Sequence, residues 1–131
     1  PRIQEEIKIG DEIIVIDLEA DAIIREFRKR QIALLNAEQE VKKLKAQKAE
    51  DCKVDEAIET YGNAIIEVFK LIFGEENTNK ILVFYENRYV EMSEQVVPWV
   101  VDNIMPQIQD AMNSQKERLR KQFAPKRRFG R

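Results

Sequence analysis

From Asp11 to Tyr61 the chain carries no glycine and no proline, the residues that most readily end regular structure. Whatever folds there must therefore be read from apolar spacing, and that spacing changes character once. Up to Leu18 the period is close to two. Ile3, Ile7 and Ile9 stand among Gln4, Glu5, Glu6 and Lys8, and Ile13, Ile14, Val15, Ile16, Asp17 and Leu18 come after Gly10 and Asp11. Four consecutive β-branched residues are stiff at χ1 and suit a strand better than a helix. Gly10 and Asp11 have turn chemistry, so the pattern predicts a β-hairpin over about 3–18. Two strands alone are marginal in water, which obliges the hairpin to pack on a helix or pair with another subunit.

From about Glu19 the period lengthens. Ile23, Phe27, Leu34, Ala37, Val41 and Leu44 recur on three- and four-residue steps, interrupted only by Arg30. The spacing predicts a helix of about 30 residues capped by Asp17, roughly 45 Å long at 1.5 Å per residue. Its distal half is expected to project from the body or to pack on a partner. A second stripe, Val54, Ile58, Tyr61, Ile65, Val68 and Ile72, is out of phase with the first. That places a turn near residues 50–53, with Asp51 as the cap. Gly74 reads as the left-handed residue ending this helix, residues 75–77 as a linker, and Asn77 or Thr78 as the next cap. Pro98 is expected to divide the helical sequence that follows near 94–98, and the last helix to reach about Gln122. The fold expected is mainly α: a short N-terminal β-hairpin followed by four or so helices, one long, with a disordered basic C-terminal tail. Residues 1–122 form a single helical domain on this reading, and 123–131 a flexible tail.

A formal charge of −2 conceals a strong asymmetry. Residues 116–131 set eight cations against Glu117 alone, a net of +7, so the remainder carries −9. Such a run is ordinarily a solvated tail. It can in addition engage an acidic protein or nucleic acid through Arg118, Arg120, Lys121, Lys126, Arg127, Arg128 and Arg131. Nucleic acid ranks last, because the acidic body repels phosphate and only Phe123 and Phe129 are at hand to stack on bases.

Catalytic chemistry finds little purchase. There is no histidine, hence no imidazole base or ligand, and a single Cys52 excludes an internal disulfide and a multi-cysteine zinc site. The pairs Glu5–Glu6, Asp11–Glu12 and Glu75–Glu76 are sequence neighbours whose side chains diverge. Asp51, Asp55 and Glu59 share a helix face but lack the glycine-bearing acidic loop of a calcium site. Ser93 and Ser114 have no base to activate them, and Gly74 has no phosphate-loop context. The expectation is a protein that is not an enzyme and has no catalytic, metal or cofactor-binding residues. No run of about 18 apolar residues predicts a membrane span, and no signal-peptide pattern opens the chain. Pro1 reads equally as the position after a removed initiator Met and as the start of a trimmed chain.

Residues 96–105 are apolar nearly all round, which calls for burial in the core or against a partner. The candidate apolar partner-binding residues are Phe84, Tyr85, Val97, Trp99, Val100, Val101, Ile104 and Met105, with core packing as the alternative for each.

A hairpin reading I-K-I-G-D-E-I-I-V-I-D-L runs into A-D-A-I-I-R-E-F, and an apolar helix closes on F-K-L-I-F-G-E-E-N before T-N-K-I-L-V-F-Y. Over residues 3–105 this resembles the small tail assembly chaperones of long-tailed bacteriophages and prophages of Gram-positive bacteria, the matching residues being Phe73, Gly74, Glu75, Glu76, Lys80 and Ile81. The resemblance implies a non-enzymatic morphogenesis protein in the host bacterial cytoplasm. It would coat apolar helices of the tape measure protein, recruit tail tube protein and self-associate. The basic tail departs from the pattern. Two other readings stand beside this one, a structural virion or oligomeric helical scaffold protein and a nucleic-acid-binding protein acting through the tail.

Overall fold

Gly10 and Asp11 close a two-residue turn between β1 (Arg2–Ile9) and β2 (Glu12–Glu19) in the computed structural model, which describes residues 1–124. Gly10 takes φ +60° and Asp11 does not take a positive φ, the pattern of a type II′ hairpin turn. The strands pair antiparallel from Ile9↔Glu12 to Arg2↔Glu19. This register buries Ile3, Ile9, Ile14 and Ile16 on one face and leaves Ile13 and Val15 exposed on the other.

The chain passes from β2 directly into α1 (Ala20–Ala46). Asp17 is not the cap. It lies within β2, where it accepts from Arg2 Nε at 2.7 Å, and the ladder runs on until the Ala20 amide donates to the Pro1 carbonyl at 2.9 Å. The cap position falls to Glu19, whose carboxylate accepts from the Asp21 amide at 3.4 Å. The turn into α2 (Asp51–Phe73) occupies residues 47–50, with Lys48 at φ 54°, so Asp51 is the first helical residue rather than a cap. Arg30, the interruption in the first stripe, is half-buried and ties the two helices together. Its Nη1 donates to the Glu67 carbonyl at 2.7 Å and its Nε to the Glu26 carboxylate at 3.1 Å.

Gly74 has a positive φ as expected, but at φ 84° and ψ 166° it is extended rather than left-handed helical. It caps both α2 and α3 (Glu75–Tyr85), so residues 75–77 are no linker. Glu75 and Glu76 fill the first turn of α3, where the helix dipole favours carboxylates. Asn77 and Thr78 are not caps either. Asn77 Nδ2 donates to the Phe73 carbonyl at 3.1 Å and the Val15 carbonyl at 3.3 Å, and the buried Thr78 Oγ1 donates to the Gly74 carbonyl at 2.6 Å.

The division expected near 94–98 falls elsewhere. α3 ends where Glu86 and Asn87 take positive φ, α4 (Tyr89–Asn103) carries Pro98 inside it, and the chain breaks at Ile104 before α5 (Met105–Phe123). Pro98 and Glu94 are both exposed, so water can satisfy the carbonyl that the missing N–H deserts. Pro106 sits in the first turn of α5, where that N–H would have had no helical partner.

The core joins the inner hairpin face to Ile24 and Phe27 of α1, Ile65, Phe69 and Ile72 of α2, Ile81 of α3, Met92 and Val96 of α4, Ile104, and Ile108 of α5. Beyond Leu34 on α1 and before Tyr61 on α2, only Ala37 and Ala57 are buried, and neither joins that cluster. The distal half of α1 thus adds little to the core; it pairs with the first half of α2 as a two-helix arm, with the start of α4 across a shallow cavity from it.

Candidate functional site

α1 and α4 both pack against α2 and scarcely touch each other. Between them lies a groove floored by α2. One half is lined by Phe27, Leu34, Leu35, Val68, Phe69, Val97, Val101 and Met105, and is almost wholly apolar. The other is lined by Val41, Lys42, Lys45, Ile58, Val90 and Glu94. Glu38 and Tyr61 line both, so the two halves adjoin along α1 and α4. Their volumes are about 180 and 220 Å³. An open apolar trough of this kind suits side chains of a macromolecule. α4 has 15 residues, so the trough is roughly 22 Å long at 1.5 Å per residue, about four helical turns.

Of the eight candidate apolar residues, those that line the groove come from α4 and the start of α5; its α1 wall includes none of them. Val97, Val101 and Met105 line it, Val101 being 52% exposed, and the buried Val100 contributes to its lining. Ile104 is fully buried in the core. Trp99 is half-buried and stacks on Phe73, centroids 6.4 Å apart. Phe84 and Tyr85 lie away from the groove, beside the hairpin turn. Phe84 is 47% exposed with its ring over Gly10, and Tyr85 is buried with its hydroxyl donating to Gln95 Oε1 at 2.8 Å. Burial pushes the Tyr85 phenol above its ordinary pKa, with Glu91 adding to the rise. Tyr85, Val100 and Ile104 are therefore mainly packing residues, Val97, Val101 and Met105 face the groove, and Phe84 is exposed on a separate surface. Leu35 on α1, 52% exposed, was the unused signal, because it stands off the stripe that Leu34 belongs to.

Arg118, Arg120 and Lys121 are exposed on the last turns of α5, beside Leu119 and Phe123. Arg118 lies 3.7 Å from Asp21 and Arg120 3.5 Å from Glu117. Lys126, Arg127, Arg128 and Arg131 lie outside the described residues. Cys52 is exposed with its thiol toward Glu50, and Ser93 donates to the Val90 carbonyl. Among the described residues no three Asp, Glu or Cys side chains converge as a metal set, and no helix is long and apolar enough to cross a membrane. Comparison with protein-family models, curated proteins and solved structures returns no match to this chain.

Proposed function

We propose that this chain is a non-enzymatic phage tail assembly chaperone. It binds apolar helices of the tape measure protein and recruits tail tube protein during tail morphogenesis in the host cytoplasm, self-associating as it does so. The observation that carries the reading is the open, mainly apolar groove between α1 and α4, which runs alongside about four turns of α4. Helix-in-groove recognition needs such a trough, with exposed apolar anchors on its walls. The absence of an imidazole from the whole chain removes the commonest acid–base catalyst and is in keeping with a binding role.

The test is affinity capture of the tagged full-length chain from cells expressing its neighbouring genes, with nuclease treatment and a high-salt wash. A long helical tape measure partner or a tail tube protein should be retained by the unaltered chain and lost by Leu35→Asp and Val101→Asp. Both positions are half-exposed, so these variants should still fold. Retention by the variants would remove the groove from the reading. A second reading, nucleic-acid binding, is favoured by the exposure of Arg118, Arg120 and Lys121 on the last turns of α5. It requires capture that disappears with nuclease or salt.

A further inference from the structure

Charge is distributed along this groove unevenly, both lengthwise and from wall to wall. In the half built around Phe27 and Met105 the only charged lining residue is Glu38, at its boundary with the other half. The half built around Val41 and Val90 carries Lys42 and Lys45 on the α1 wall and Glu94 on the α4 wall. Glu38 lies 3.7 Å from Lys42, so each offsets the other. Lys45 and Glu94 have no ion-pair partner among the described residues, and both are exposed. One end of the trough therefore has a basic rim on α1 facing an acidic rim on α4, and the other end has neither.

We infer that the groove is directional: it favours one orientation of a partner's amphipathic helix over the other. The helix it fits has an apolar stripe about four turns long. At one end alone that stripe is flanked by a carboxylate toward Lys45 and by a Lys or Arg toward Glu94. Reversing the helix carries its charges to the apolar end, and exchanging the flanks sets like charges opposite each other. Complementary rims of this sort select partners and fix register more than they add affinity. The inference rests on the helix-binding reading of the groove.

Two synthetic peptides about three heptads long, with Leu at the core-facing positions, serve as probes. They differ only in which side of the Leu stripe bears Glu and which bears Lys in the last heptad, and are neutral elsewhere. Fluorescence anisotropy against the full chain should show one peptide binding roughly fivefold tighter than the other, the scale of two exposed rim pairs. The double variant Lys45→Glu/Glu94→Lys, checked for an unchanged circular dichroism spectrum and melt, should invert that preference. Equal binding of both peptides, or a preference that survives the exchange, overturns directionality while leaving the groove as a helix site. Binding of neither peptide, or binding unaffected by Leu35→Asp, overturns the helix-binding reading as well. A second copy of this chain in the groove would appear as an oligomer that Leu35→Asp dissolves and that competes with the peptides, and would overturn the assignment to a foreign helix.

Discussion

Gly62 is the position where a single methylene matters most. A Cβ there would fall within the ring of Tyr89, the first residue of α4, so the missing side chain is what lets α4 start against α2. Gly62→Ala should destabilise the fold by about 1–3 kcal/mol through overpacking. The cost should shrink in a Tyr89→Ala background, because the two changes share one contact. Additive losses in chemical denaturation would show that the contact is not the cause. Tyr85 allows a test by pH. Its folded pKa is raised by burial, so the neutral phenol is the form the fold prefers. Stability is then intact below the unfolded value of about 10 and declines as pH climbs from there toward the folded value. Tyr85→Phe should cost about 1 kcal/mol at neutral pH by removing the bond to Gln95, and should flatten the alkaline decline. An identical alkaline slope in the variant would assign the decline to other groups. Neither residue announces its role in sequence. Gly62 lies inside a strong helical stripe, and its partner Tyr89 is remote along the chain.

At the scale of elements, the boundaries that departed from expectation share a physical cause. Local signals rank candidate caps, but hydrogen bonds made at a distance choose among them. Asp17 is the better N-cap by residue type than Glu19, yet the strand ladder holds Asp17 until the chain has passed it. Pro98 should break a helix, yet the breaks fall at Glu86–Asn87 and at Ile104, which is fully buried. The hairpin and the first two helices were legible because the spacing changes once, from about two to three-to-four, and the helical stripes then run long with Arg30 as their one interruption. The Gly74 junction was legible in position and not in shape. With φ 84° and ψ 166° it occupies a region nearly closed to residues bearing a Cβ, although no atom lies within 4 Å of where that Cβ would be. Gly74→Val should therefore lower stability by about 1–3 kcal/mol through backbone strain alone. Gly74→Ala should do nearly the same, since both add a Cβ. A thermal melt in which only the valine variant suffers would point instead to side-chain crowding.

For the whole molecule, periodicity identified the residues able to be buried, but could not tell the core from the groove. Leu34, Tyr61 and Val68 belong to the stripes that define the helices, and all three also line the trough. That distinction depends on how far α4 stands from α1, which long-range packing sets. The alanine-waisted arm has a consequence of its own. With only Ala37 and Ala57 buried along it, the arm contributes few interactions to the cooperative unit that unfolds globally. Amide protons over 38–58 should then exchange with deuterium through small local openings, and those over 65–73 and 92–104 only through global unfolding. Uniform exchange across both sets would make the molecule one foldon. If the arm does open separately, the Lys45 rim flickers in and out of register with Glu94. A bound helix would then spend part of its binding energy on quieting that motion, and protection of 38–58 would rise on complex formation before any change in the core.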